Sequence, residues 1–353
     1  MRRVSGLWPL ITSFEHLLRS ARRAARHKRR VRAAAAFLER LEPEVLAVQR
    51  ELLAGAYRPR PAYSFTIYDP KERVITAAAF RDRVVHHALI DALEPRFDRR
   101  MIATSFACRR GKGTHAALKD ARGCVRRYAY FLKLDVRRFF PSLAHDVVLE
   151  TVGRLVKDRA ALALFATIVR SGGDPLSPGV GLPIGNLTSQ WAANLVLDRL
   201  DHHVKETLRI PGYIRYMDDF VLFDDAKERL QTAHAEVATF LRDRLRLELK
   251  ERATLLAPAA EGLPFLGWRI FRGTTRLRPE NKRRLKRRLA KRAAECAAGR
   301  RTEESYAACV RSTVAHLEHG STSALRRRWF GEALEAPEAA HGCARERAPP
   351  ANG

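Results

Sequence analysis

The chain has 353 residues, 46% of them hydrophobic and 30% charged, which is enough apolar material for a core and too much for a chain that stays unfolded. Lysine and arginine outnumber the acids 66 to 39, a formal net charge of +27, an excess best tolerated beside a polyanion such as nucleic acid. The 5 cysteines include no CxxC pair, which argues against a disulfide framework or structural zinc, and no apolar run approaches the roughly 18 residues of a membrane span.

Residues 14–54 carry apolar positions at helical spacing, Phe14, Leu17 and Leu18, then Phe37, Leu38 and Leu41, on either side of a basic stretch from Arg19 to Arg32. The spacing predicts a helical segment, closed by Gly55, Pro59 and Pro61. Ser64–Tyr68 alternates like a strand and Asp69-Pro70 starts a turn. Val84–Leu93 reads as a helix, and Gly111 and Gly113 mark a loop. Tyr128–Val136 reads as a strand. Asp146–Ile168 reads as one helix that runs into a Gly- and Pro-rich loop over Ser171–Pro183, and a second helix is expected from Leu187 to Leu208.

Tyr213–Tyr216 and Phe220–Phe223 are short β-prone runs joined by Met217-Asp218-Asp219, a hairpin pattern. Ala226–Arg246 reads as helix, Leu263–Phe271 as strand and Pro279–Ala297 as a basic helix. Residues 336–353, rich in Ala, Pro and Gly, read as disordered. Helices and strands mix without βαβ alternation, which places the chain in the α+β class.

The charge is uneven. Residues 1–60 hold 14 basic and 5 acidic side chains, residues 269–330 hold 18 and 5, and the segment between them holds 32 and 25. A near-neutral centre with two basic flanks suggests a catalytic body between two nucleic-acid-binding segments. Arg283, Arg284, Lys286, Arg287, Arg288, Lys291 and Arg292 are the densest run; the alternative is a pair of solvated Arg-rich helices.

Three acids stand out by position. Asp135 ends the apolar run from Tyr130, and Asp218 and Asp219 sit at the tip of the expected hairpin. Asp-Asp is also a common turn dipeptide. An Asp at a strand end beside a carboxylate pair can hold two magnesium ions, which prefer oxygen ligands and keep several waters. Two such ions would stabilise the attacking hydroxyl and the leaving pyrophosphate.

With these residues in view, Tyr216-Met217-Asp218-Asp219 resembles the YxDD motif of reverse transcriptases. The run from Phe131 through Asp135 to Phe140 resembles their first palm motif, and Gly181–Gln190 resembles the loop and helix beneath the incoming nucleotide. Phe265-Leu266-Gly267-Trp268 resembles the primer grip. Arg73 to Leu118 resembles the fingers of enzymes related to group II introns. The resemblance covers about residues 61–275 and implies a right-hand fold. Its parts would be a basic helical extension over 1–60, fingers over 61–130, a palm over 131–275 with a fingers insertion near 144–180, and a helical thumb over 276–335.

It also implies an RNA-directed DNA polymerase with two magnesium ions held by Asp135, Asp218, Asp219 and the Val136 carbonyl. Phe140 would be the sugar gate, since a ring beneath C2′ leaves no room for a hydroxyl. Lys71 and Arg73 would meet the triphosphate, with Arg109 and Lys112 as further candidates, and Ile184 and Gln190 would line the nucleotide site. Arg283, Arg284, Arg287, Arg288 and Lys291 would bind nucleic acid. The lysine usual near Thr254 is not evident, with Ala253 there in one register; Lys250 could stand in as general acid, although a lone lysine more often lies at the surface.

Ile184, followed by Gly185 and then by Ser189-Gln190, is similar to the pattern of the reverse transcriptases of diversity-generating retroelements. That likeness implies an enzyme that copies a template-repeat RNA, misincorporates opposite its adenines and works with a small, basic, ring-forming accessory protein. The expected setting is cytoplasmic, bacterial or phage-encoded, with template RNA, RNA–cDNA hybrid and deoxynucleoside triphosphates as partners. Other lineages remain open: a group II-intron-like or retron-like enzyme, or an inactive RNA-binding scaffold.

Overall fold

Apolar runs rich in aromatic and β-branched residues form the strands, and helices with one apolar stripe cover them. The computed structural model describes residues 3–68, 72–173 and 177–331. The turn expected at Asp69-Pro70, the cation Lys71 and the tail 336–353 lie outside the described residues. The chain divides into two compact units, Met1–Leu263 and Pro264–Gly353.

The first unit opens with α1 (Trp8–Thr12), α2 (Phe14–Ala24), α3 (Arg32–Glu39) and α4 (Leu41–Leu53). The expected continuous helical stretch is therefore broken. The break falls in the run Arg26–Arg30, where four like charges that repel along a helix face, Arg26, Lys28, Arg29 and Arg30, crowd around His27, which takes a left-handed φ of 62°. An antiparallel hairpin follows, β1 (Tyr63–Ile67) with β2 (Arg73–Ala77), in which Phe65 faces Ile75. Then come α5 (Phe80–Arg100), longer than the sequence suggested, and α6 (Thr114–Arg127).

β3 (Tyr130–Asp135) leads through the short α7 (Phe139–Ser142) to α8 (His145–Gly153) and α9 (Arg159–Arg170). The single helix expected over Asp146–Ile168 is two helices. Gly153 ends the first, and Asp158 starts the second by accepting the Ala161 N–H at 3.1 Å. Its other carboxylate oxygen accepts the Leu7 and Trp8 N–H groups at 2.7 and 2.9 Å, so the break also anchors the N-terminal helices.

α10 (Leu187–His202) continues into a π-turn over His203–Thr207. The hairpin of β4 (Gly212–Tyr216) and β5 (Asp219–Asp224) follows as expected, then α11 (Lys227–Phe240) and β6 (Leu255–Pro258). The central sheet runs β4-β5-β3-β6, antiparallel throughout. β5 carries the wholly buried Phe220, Val221, Leu222 and Phe223, and β3 the buried Phe131, Leu132 and Leu134. α11 packs on β3 and β5, α6 on β4, and α10 against α5 and α8.

The second unit holds a three-stranded sheet, β7 (Leu263–Phe265), β8 (Trp268–Ile270) and β9 (Thr275–Leu277), then α12 (Pro279–Ala297), α13 (Glu303–Leu317) and α14 (Ser323–Phe330). The strand expected over Leu263–Phe271 is two strands, because Leu266 and Gly267 take left-handed φ values of 48° and 88° and reverse the chain.

Candidate active site

The central sheet brings the three acids to one of its ends. Asp135 is the last residue of β3 and pairs in register with Asp219, the first of β5. Residues paired across antiparallel strands have Cα atoms about 5 Å apart. Tyr216 pairs with Asp219 across the hairpin, so Met217 and Asp218 form its two-residue turn. Apolar pairs behind the acids, Leu134 with Phe220 and Leu132 with Leu222, are buried and fix this register.

Burial pushes the Asp219 carboxyl up to about 6; the charges of Asp135 and Asp218 act in the same direction, and Lys133 opposes them. Lys133 Nζ lies 2.6 Å from Asp219 Oδ1. Burial also raises Asp218, with Asp135 adding to the rise, while Arg73 and Lys133 hold it down. The acids thus repel one another, and cations from two elements answer only part of that charge. Arg73 reaches this field from β2, where its side chain is exposed.

Among the described residues, no three His, Cys, Asp or Glu side chains close into a ready metal cage. Magnesium needs only one or two carboxylates when waters and substrate phosphates complete its shell, and the paired Asp135 and Asp219 would supply them. A further oxygen lies close by in sequence. Val136 bridges Leu249, but the two bonds of that bridge run from Lys250 N–H to the Asp135 carbonyl and from Arg137 N–H to the Glu248 carbonyl, each 2.8 Å. The Val136 carbonyl takes no part in them. Lys250 meets the site through this backbone bond.

The chain leaving β3 turns sharply at Arg138, whose φ is 46°, and enters α7. Phe139 is buried and Phe140 half-buried, their rings edge to face at 5.5 Å. The Phe140 carbonyl accepts the Leu182 N–H at 2.8 Å, and the Leu143 carbonyl accepts the Gly181 N–H at 2.8 Å. The loop before α10 is thereby tied to the element that carries the expected sugar gate. On its other side, the Ile184 carbonyl accepts the Thr76 N–H at 3.0 Å, and Asn186 Oδ1 accepts the Ala78 N–H at 3.2 Å. Half-buried Ile184 lines a cavity of about 510 Å³ with Val74, Thr76 and Arg138.

One charged residue at the site was not singled out from the sequence. Arg215, on β4, is wholly buried. Its Nε and Nη2 donate to the two carboxylate oxygens of Asp201 at 2.7 and 2.6 Å, and Tyr213 Oη donates to the same Asp201. Nη1 donates to Asn194 Oδ1 at 2.9 Å and to the Met217 carbonyl at 3.1 Å, and Nη2 also donates to Ser105 Oγ at 3.0 Å. An Arg immediately before Tyr-x-Asp-Asp, in an otherwise apolar strand, was the available signal.

Residues 68–270 match the family described as "Reverse transcriptase (RNA-dependent DNA polymerase)". The chain belongs to the reverse transcriptase family. It is similar to Protein YkfC of Escherichia coli (strain K12), 24% identical over 282 residues, covering 67% of this chain and 74% of that protein. It is also similar to the group II intron-encoded protein LtrA of Lactococcus lactis subsp. cremoris, 20% identical over 298 residues, and spans 50% of that protein's length. Among solved structures, apo telomerase from Candida tropicalis, truncated from its C-terminal domain, matches with a TM-score of 0.50 at 10% identity. The match covers 62% of this chain and 55% of the telomerase chain, a likeness of fold alone. The α+β architecture is that of a right-hand polymerase, and the chain carries an RNA-directed DNA polymerase domain.

Within this reverse transcriptase the other expected site residues fall into distinct places. Arg109 is held by neighbouring backbone and by Asp98. It caps the end of α5, donating to Asp98 and to the Ile102 and Ser105 carbonyls at 2.6–2.9 Å. Lys112 donates to the Ala103 carbonyl at 2.8 Å and lies over the Phe106 ring. Gln190 Oε1, on α10, accepts the Cys108 thiol at 3.6 Å.

In the second unit Phe265 and Trp268 are buried, so the turn between them offers Leu266 and Gly267. The Gly267 carbonyl accepts from Asn281 Nδ2 at 2.8 Å. On α12, Arg283, Arg287, Arg288 and Lys291 are exposed, Arg284 is half-buried, and Leu285 is the buried anchor.

Proposed function

We propose that this reverse transcriptase copies a template-repeat RNA into cDNA and misincorporates opposite template adenine, as part of a diversity-generating retroelement. The observation that carries this reading is Ile184, half-buried in a loop tied on one side to Phe140 and on the other to the fingers hairpin. A glutamine there could hydrogen-bond the nascent pair and restrain its geometry, whereas a branched apolar side chain packs without such bonds. Discrimination then weakens most at pairs held by two hydrogen bonds.

In the reaction itself, Asp135, Asp218, Asp219 and the Val136 carbonyl would hold magnesium. When bound, the metal supplies Lewis-acid stabilisation of the attacking and leaving oxygens. Arg73 draws the triphosphate toward the acids, and Phe140 excludes the 2′-hydroxyl. The basic α12 follows the RNA–cDNA hybrid. A small, basic accessory protein and a cytoplasmic setting in a bacterium or phage complete the reading.

The likeness to LtrA favours a second reading, a group II-intron-like enzyme without directed mutagenesis. Sequencing cDNA made on a mixed-sequence RNA, with and without the accessory protein, separates the two. Errors concentrated opposite adenine, and reduced by Ile184→Gln, support the first. An even spectrum across the four template bases supports the second.

A further inference from the structure

Asp218 sits in a turn that a non-glycine chain does not adopt freely. Met217, immediately before it, has a φ of 58°, and a side-chain-bearing residue in this left-handed region costs on the order of 1 kcal/mol or more. The apolar strands position Tyr216 and Asp219, but their ladder ends there. Arg215 Nη1 reaches past the ladder to the Met217 carbonyl at 3.1 Å. A hydrogen bond from a charged donor is about twice as strong as a neutral one, enough to offset the strain of one left-handed residue.

That donor is itself immobilised. Asp201 engages the guanidinium by two bonds, and Asn194 and Ser105 accept from its remaining faces. The anchors come from α10 and from the loop after α5, which adds a parallel bridge from Ser105 to Arg215. An arginine needed only for core packing would have no use for a contact beyond the strand end.

We propose that Arg215 is a positioning residue for DNA synthesis: its guanidinium, held by Asp201, Asn194 and Ser105, fixes the Met217 carbonyl and thereby the direction in which Asp218 leaves the hairpin. This rests on the assignment of Asp218 to the acid site, and Asp218→Asn is the control that tests that assignment separately. Lysine at 215 keeps the charge but carries one nitrogen in place of a fork, so it cannot hold Asp201 at two points and reach Met217 as well.

The test is steady-state primer extension by the full chain. Arg215→Lys should lower kcat about 10- to 100-fold, the loss expected when a reacting group is misplaced by about 1 Å. KM for the deoxynucleotide should stay within about twofold, because no contact to the nucleotide is removed. Adding Met217→Gly should recover kcat several-fold, because glycine takes a positive φ without the side-chain penalty. A purely structural arginine would not respond to that second change.

If Arg215→Lys does not fold, Arg215→Gln combined with Asp201→Asn keeps the buried charge balanced and serves the same comparison. An unchanged kcat in a folded variant, or a loss that Met217→Gly does not relieve, overturns the proposal. Full activity of Asp218→Asn instead removes the acid-site assignment beneath it.

Discussion

Asp219 should leave a signature in the pH dependence of stability of the metal-free protein. Its carboxyl rises from an ordinary value of 3.8 to about 6, first through burial, then through the neighbouring acids. The folded state therefore binds this proton more tightly than the unfolded state, and stability is lost as pH rises through the window between those values. The full penalty on the charged form is about 3 kcal/mol, of which about 2 kcal/mol falls between pH 4.5 and 7. Asp219→Asn removes this slope. It also leaves Lys133 without its partner at 2.6 Å, so the two proteins are compared by the change between the two pH values and not by absolute stability. Urea unfolding in the presence of a chelator, at the two pH values, measures the difference directly. The stability of wild type relative to the variant should fall by about 2 kcal/mol from the lower pH to the higher. Parallel curves for the two proteins would refute the half-buried, mutually repelling carboxylates described for this site.

Asp135→Asn should reduce primer extension to background with folding retained, since an amide keeps the shape and removes the charge that would balance the proposed magnesium; circular dichroism and extension assays together check this. Phe140→Val should weaken rejection of ribonucleotides about tenfold or more in single-nucleotide incorporation, with deoxynucleotide use largely kept. Neutralising Arg283, Arg287, Arg288 and Lys291 should flatten the log-log salt dependence of RNA binding by somewhat under one unit per lost phosphate contact; an unchanged slope would show that this exposed face meets no RNA. Gly185→Ala should destabilise the protein by about 1 kcal/mol or more, because the residue has a φ of 115° and a Cβ would stand 3.0 Å from Ile75 Cγ2; the midpoint of thermal unfolding reports it.

The acid cluster was legible because two ordinary signals coincided. Apolar runs over Tyr130–Leu134 and Phe220–Phe223 predict strands, and the acids fall where those strands end. The antiparallel pairing of β3 with β5 then aligns Asp135 with Asp219. Arg215 was not legible in the same way. A charged side chain in a strand reads as solvent-facing, and its partners Ser105, Asn194 and Asp201 are remote in sequence. Only the tertiary fold gathers them. Arg109 and Lys112, which the resemblance offered as further triphosphate cations, make local contacts the sequence does not encode: Arg109 donates to the Ile102 and Ser105 carbonyls and Lys112 to the Ala103 carbonyl. The break between α8 and α9 depends on Asp158 accepting N–H groups from the distant Leu7 and Trp8, a contact that helical periodicity does not encode.

The strand that carries Arg73 and the loop that carries Ile184 are buttoned together by two bonds, Thr76 N–H to the Ile184 carbonyl and Ala78 N–H to Asn186, with Ile75 lying against bare Gly185. If Arg73 meets the triphosphate and Ile184 the base, as proposed, the two acts are mechanically joined. A shift of β2 would then carry the Ile184 loop with it, and copying accuracy would be a property of the joint as well as of the side chain at 184. On that reading, a lineage under selection for a new error rate would have a wider set of positions to draw on than the residues that touch the base.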